Sequence, residues 1–482
     1  MHKKIIPSLY LIIFVLLGVS FNSNNKIASN RSIVECAPEN ITTNISYTRA
    51  PTTIKTRKSY NSLSNADKAQ ISLAISKMKA LSISNPSDVR GWDYQVKIHF
   101  ENCKHASCYF LAWHRMYIYY FERILQSFMD PALPKPALPY WNHKANRSIP
   151  SEFISDLTLK NTSRDISTYN ATFKIPKSIN TAYRNALYEK DYFSFRSKIE
   201  NAHDGVHQAI NGDMMTWSSP KDAIFWIHHA NVDRQWEIWR NKKYGRCNPT
   251  QLEDPIWWAQ TFTFYNENGI AETLSCGQII STTSAALGYE YEGISTTGYT
   301  STCKRKTLDC PDIVPSAIAR IILPNNKVEN REVTYNYASV INTNFDSALK
   351  KLGNNFDFSN NPNSIRVVLS FEDIVATKYP NGVVEVYVHR KDKTAFDATD
   401  ASFVGFLPLF SATTLAAHKM HGKKNKLELE INDVLKNLLI KPTNFKNLKI
   451  SFIVRGNEID GIEVPIEADI TIGKTIISLF KN

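Results

Sequence analysis

Two groups of histidines constrain this chain more than any other feature. Seven of its twelve histidines fall into them. The first group is His99-Phe-Glu-Asn-Cys103-Lys-His105, followed by His114 in Phe110-Leu-Ala-Trp-His114-Arg-Met. The second is His203-Asp-Gly-Val-His207, followed by Phe225-Trp-Ile-His228-His229-Ala-Asn-Val-Asp-Arg234. His203 and His207 stand four apart, so on a helix they share one face and can aim at one metal. A third imidazole from another helix completes a three-nitrogen site, and the first group offers a second triad. Three neutral imidazoles suit copper, zinc, iron or nickel. Two triads without a carboxylate point to a binuclear centre comfortable with Cu(I). A zinc hydrolase is the chemical alternative. Against it, the His-Glu-X-X-His pattern, with its general-base Glu, is absent; Asp204 follows His203 instead.

The histidines sit in helical patterns. Ser64–Ala80 opens on Ser-Asn-Ala-Asp and continues with Ile71, Leu73, Ala74, Ile75 and Met78, a capped helix with an apolar face. Tyr109–Met129 is apolar and aromatic all round, the mark of a helix buried in a bundle, and stops before Pro131. Further helices are expected near Glu200–Ile210 and Ala223–Arg240. Beyond Pro315 the pattern changes to strands. Ile365–Phe371, Val383–His389, Lys426–Ile431, Lys449–Val454 and Ile470–Leu479 are β-branched or alternating runs, which predicts a sandwich or barrel. No internal repeat is visible.

At 482 residues, two domains are expected. Lys3 and Lys4 precede an apolar run, Ile5–Val19, that ends in small residues. This reads as a signal peptide cleaved near Ser20, too short for a membrane span. A secreted protein with no membrane segment after cleavage follows. Net charge is +12, and +10 without Lys3 and Lys4, with the basic residues scattered. That favours a solvated surface over nucleic-acid binding. Export allows disulfides among seven cysteines. Asn30, Asn40, Asn44, Asn146, Asn161 and Asn170 begin glycosylation sequons.

Cys103-Lys-His105, Phe110-Leu-Ala-Trp-His114-Arg, Phe121-Glu122-Arg and Pro139-Tyr-Trp141 resemble the first copper motif of tyrosinases, polyphenol oxidases and molluscan haemocyanins. His203-X3-His207 and Phe225-Trp-Ile-His-His229-Ala-Asn-Val-Asp-Arg-X-Trp236 resemble the second. The likeness runs from about residue 55 to the end. It implies a mainly α catalytic domain, a four-helix bundle around two copper ions, plus a C-terminal all-β sandwich that covers the copper site. The expected segments are a signal peptide (1–20), an extended lead-in (21–55), the copper domain (56–292), a linker (293–330) and the covering domain (331–482).

Carried over by residue, the resemblance assigns His99, His105 and His114 to one copper, and His203, His207 and His229 to the other. His228 receives a structural role. It joins Cys103 to His105 through a thioether, which leaves six cysteines for disulfides. Arg57 and Tyr289-Glu-Tyr291 resemble the pair that closes the plant catalytic domain. Glu200 resembles the glutamate that orients a water near the second copper, but its usual Asn partner is replaced by Asp204. Either carboxyl is a candidate catalytic base. Ala223 replaces a usual Pro, and Thr216 stands where plant enzymes often place Phe, so Thr216, Trp217 and Phe225 are the expected substrate pocket. Phe403 and Phe406 are the candidates for a plug from the covering domain. The implied activity is oxidation of o-diphenols by O2 to o-quinones, with ortho-hydroxylation of monophenols as an extension. The alternative within the resemblance is a haemocyanin-like O2 binder.

Overall fold

The computed structural model describes residues 53–481, except 242–245, 247, 295–316, 318, 324–325, 330–331, 337–342, 353–364, 391–392, 411–427 and 465. All of these belong to one compact unit, 45–482. The expected signal peptide, nearly all of the lead-in and most of the linker lie outside the described residues, as do Cys36, Cys247, Cys303 and Cys310. No helix among the described residues is long and apolar enough to cross a membrane.

The first part is helical, as expected: α1 (Asn65–Ser84), α2 (Trp92–Asn102), α3 (Phe110–Phe128), the short α4 (Glu152–Ser155), α5 (Lys177–Ala186), α6 (Tyr192–Ile210) and α7 (Ile224–Arg240). Ser64 starts α1 by accepting from Asp67 N at 3.1 Å, which satisfies one orphan donor of the first turn. Asp191 does the same for α6, accepting from Phe193 N and Ser194 N. That cap places the start of α6 eight residues before Glu200, earlier than the expected boundary, because Tyr192, Phe193, Phe195 and Ile199 extend its buried face. Helix α2 was not expected: its apolar stripe is broken by Gln95, Lys97 and His99. It matters, because it carries His99.

A buried charge network ties α3 to α7. Strand β1 (Lys55–Arg57) runs parallel to a partner strand, Tyr289–Tyr291, with Arg57 opposite Tyr291. Arg57 donates to Glu122 at 2.7 Å and to the Tyr291 hydroxyl at 3.0 Å. Tyr289 and Tyr291 each donate to Asp233 at 2.6 Å. Arg115 pairs with Asp233 at 2.5 Å and Glu237 at 2.7 Å. Every partner is nearly solvent-free, so removing one would strand the rest at a cost of about 3–5 kcal/mol. Arg115 follows His114, and Asp233 lies one helical turn after His229. The network therefore sets the relative placement of the His114 and His229 turns by bracing their immediate neighbours.

The C-terminal part is all β in its main elements, with two sheets. After the hairpin β2 (Thr261–Tyr265) and β3 (Ala271–Ser275), and the Tyr289–Tyr291 strand as β4, come β5 (Ala319–Leu323), β6 (Asn326–Glu329), β7 (Glu332–Asn336), β8 (Ile365–Lys378), β9 (Gly382–Arg390), β10 (Phe403–Phe406), β11 (Glu428–Glu430), β12 (Leu448–Gly456), β13 (Glu458–Ile459), β14 (Ile462–Glu463) and β15 (Asp469–Lys481). One sheet has the order β10-β9-β12-β7 and the other β11-β8-β15-β5, with β6 also on β15. Val367, Leu369, Val384, Val386, Val388, Ile450, Phe452, Ile470 and Ile477 share one apolar core. Strand β5 lies inside the span read as linker and pairs with β15.

Candidate metal centre

Four helices and one loop bring the two histidine triads together. His99 comes from α2, His114 from α3, His203 and His207 from α6, and His229 from α7, while His105 lies in the loop between α2 and α3. Ring centroids lie 5.6 Å apart for His99–His105, 5.6 Å for His99–His114 and 5.0 Å for His105–His114. They lie 4.3 Å apart for His203–His207, 4.7 Å for His203–His229 and 5.7 Å for His207–His229. The sets abut: the His114 and His229 rings stack at 4.6 Å and 15°.

Each set has outer contacts that aim it. Nδ1 of His99 bonds the Trp217 carbonyl at 2.7 Å, Nδ1 of His114 bonds the Phe110 carbonyl at 2.8 Å, and Nδ1 of His207 bonds the Met214 carbonyl. Such bonds place the proton on Nδ1 and leave Nε2 as a lone-pair donor. Nε2 of His99, His114 and His207 is buried without a hydrogen-bond partner. Nε2 of His203 and His229 meet at 3.1 Å. Burial holds His99, His114, His203 and His229 well below the ordinary histidine range, and His207 down to about 3. Neutral, converging imidazoles with orphaned nitrogens are a donor set that fits a metal pair.

The comparisons with known proteins agree. A family model described as the common central domain of tyrosinase matches residues 89–175 and 156–242. Residues 89–242 of this chain match a tyrosinase central domain. A tyrosinase of Hahella sp. (strain CCB-MM4) is 28% identical over 306 residues, 49% of this chain and 63% of the relative. Polyphenol oxidase A of Solanum lycopersicum is 26% identical over 326 residues, 54% of this chain and 51% of the relative. The chain thus spans about half to just under two thirds of these relatives' length. By structure it is similar to latent apple tyrosinase, with a TM-score of 0.57, 20% identity and coverage of 90% of this chain and 99% of that one. A latent aurone synthase gives 0.57, 19%, 93% and 94%. These two share the fold, a helical part followed by a β-rich C-terminal part. The tyrosinase family and the histidine clusters together give the centre its cofactor, a pair of copper ions.

In this site the two carboxyls lie on α6. Glu200 accepts from Ala106 N at 2.6 Å and from Arg196 at 2.9 Å, and its Oε1 lies 3.4 Å from His105 Nδ1. Burial, opposed by Arg196, pushes it up to about 7. Asp204 bonds Nδ1 of His203 at 3.1 Å, and burial and the neighbouring Glu200 push it well up. Of the expected pocket residues, Phe225 packs 4.0 Å from His229 and 5.1 Å from His99. Trp217 packs 5.5 Å from His105. The Thr216 hydroxyl serves a local turn, donating to Asp213 O and accepting from Ser218 N.

Among the described residues, Phe410 reaches the centre from the β-rich part. Its ring stacks on His105 at 4.8 Å and meets His207 at 5.1 Å and Trp217 at 5.2 Å, edge-on. Phe403 and Phe406, the expected plugs, hold its strap instead. Phe403 packs on Tyr387 and Phe406. Asn201 bonds Phe406 N and O, and Gln208 bonds Leu407 O. A Cβ on Gly205 would meet the Phe406 ring at 2.8 Å. That close approach explains a glycine inside a helix, where it costs about 0.5–1 kcal/mol relative to alanine.

Two cysteine findings bear on the disulfide count. Cys276 is a buried free thiol, so the six cysteines other than Cys103 do not all form disulfides; its surroundings are apolar core. Cys108 is disulfide-bonded. Cys103 is buried, and the donor atoms of His99, Cys103 and His105 all lie within 4.8 Å of one another.

Proposed function

We propose that this chain is a copper-dependent phenol oxidase that uses O2 to convert o-diphenols to o-quinones, with ortho-hydroxylation of monophenols as its further reaction. The observation that carries this reading is the abutment of two three-imidazole sets with orphaned nitrogens. His99, His105 and His114 hold one copper, and His203, His207 and His229 the other. When bound, the copper pair supplies two-electron transfer between a catechol and O2. The residues do the rest. Phe225 and Trp217 form an aromatic wall against which a phenol ring stacks. Nδ1 contacts to the Trp217, Phe110 and Met214 carbonyls keep the His99, His114 and His207 rings aimed. Glu200, with a water, takes the phenol proton. Asp204 competes with it, because two neighbouring buried carboxyls resist double ionisation.

The cover belongs to the same reading. The β-rich part, from β5 onward, forms the covering domain, and Phe410 fills the place of a substrate ring until it is displaced. Export is proposed from the leader pattern of residues 1–20. The test is oxygen uptake with a catechol and its matching monophenol, with quinone formation recorded. Uptake with either supports oxidation. Two bound coppers without uptake, even after proteolysis within 293–330, would turn the reading to an O2 binder.

Two further outcomes are expected. Asp204→Asn removes the competing carboxyl and raises the monophenol-to-diphenol rate ratio, by about tenfold if one proton-transfer step is relieved. A lower ratio would assign the base to Asp204, and an unchanged one would remove that carboxyl from the reaction. The copper-loaded parent yields a cross-linked Cys103–His105 peptide, lighter by two hydrogens than its parts. Cys103→Ser abolishes it, and its absence from the parent would exclude the thioether.

A further inference from the structure

One of the two metal positions is served by four imidazoles, not three. Donor atoms of His203, His207, His228 and His229 all lie within 4.8 Å of one another. His228 is fully buried. Its ring faces the His203 backbone, yet neither Nδ1 nor Nε2 makes a well-formed hydrogen bond. Leaving a buried polar group unsatisfied costs about 1–3 kcal/mol, so packing alone does not account for histidine here. An apolar side chain would fill the space without that cost.

The arrangement of the rings gives His228 a use. It lies parallel to His203 at 5.1 Å and 15°, edge-on to His207 at 5.2 Å and edge-on to His229 at 5.3 Å. On α6 both histidines are tethered through Nδ1, His203 to Asp204 and His207 to the Met214 carbonyl. On α7 Nδ1 of His229 has no hydrogen-bond partner, and His228 makes only a poorly aligned contact with the His203 backbone. Tethers of this kind fix the orientation of a ligand ring. The position thus combines two fixed donors from one helix with two adjacent, untethered donors from another.

We propose that His228 is an alternate ligand of the His203–His207 copper position, exchanging with His229 as third donor and holding the metal when His229 withdraws. One neutral imidazole replaces another: a copper–nitrogen bond to His229 breaks, one to His228 forms, and no proton or electron moves. The consequence is slower loss of that copper, because no intermediate is left with two protein ligands. This rests on the copper reading of the site, and it fails separately from it.

The test is an anaerobic Cu(I) competition of the full chain against a chromophoric Cu(I) chelator, recording stoichiometry and release rate. The copper at His99, His105 and His114 is the internal control for folding. The parent holds two coppers. His229→Gln also holds two, the second about 10–100-fold weaker. The His228→Gln, His229→Gln double variant holds one. His228→Gln alone holds two at saturation but releases the second about tenfold faster than the parent. If His229→Gln retains only one copper, like the double variant, the proposal is overturned. The single variant decides independently: His228→Gln releasing copper at the parental rate overturns it as well. A parent that binds fewer than two coppers would overturn the copper reading itself, and this proposal with it.

Discussion

Replacing Phe410 by alanine raises catechol oxidation by the full, copper-loaded chain about tenfold to hundredfold, with copper content unchanged. The ring occupies the place against His105, His207 and Trp217 where a phenol would lie. Removing a buried Phe side chain typically costs about 3–5 kcal/mol. Part of that loss falls on the covered state, and each 1.4 kcal/mol shifts the covered-to-open ratio by about tenfold. The gain comes mainly as a lower apparent KM, because the open fraction limits access. Phe403→Ala is the comparison, since Phe403 packs on Tyr387 and Phe406 and holds the strap from outside the histidine sets; it lowers KM by less than Phe410→Ala does. A Phe410→Ala chain with unchanged kinetics would remove Phe410 from any covering role.

The second large effect is at His207. His207→Ala removes a tethered donor from the α6 set and lowers copper from two per chain to one. Catechol oxidation falls by about a thousandfold or more, equivalent to about 4 kcal/mol of lost transition-state stabilisation, because the reaction needs both metals. The first triad does not touch the Met214 carbonyl that orients His207, so its copper stays. Metal analysis decides the matter: two coppers retained by His207→Ala would break the assignment of α6 as a ligand helix.

The sequence made much of this legible, and the reasons differ by part. The i,i+4 pair on α6 is a local pattern, and helix geometry alone puts both rings on one face. The β-branched runs in β8, β9, β12 and β15 announce themselves because a strand inside a sandwich must bury such side chains. Helix α2 was missed because Gln95, Lys97 and His99 interrupt its apolar stripe, although His99 itself was identified as a ligand. Phe410 was not among the candidates, Phe403 and Phe406, for another reason. Phe410 and His105 are more than 300 residues apart, and nothing local separates Phe410 from Phe403 or Phe406. One signal was present and unused. Gly205, between His203 and His207 on a helix, marks a surface where another element comes close, and that element is the Phe406 strap. That Cys276 stays a thiol while the equally buried Cys108 is bridged depends on three-dimensional neighbours, which cysteine counting cannot reveal.

The most direct test of the central claim is metal analysis of the purified full chain after anaerobic loading with Cu(I) and removal of excess metal. The account predicts two coppers per chain, held by His99, His105, His114, His203, His207 and His229. One copper per chain, or zinc retained in preference to copper under competition, would contradict it.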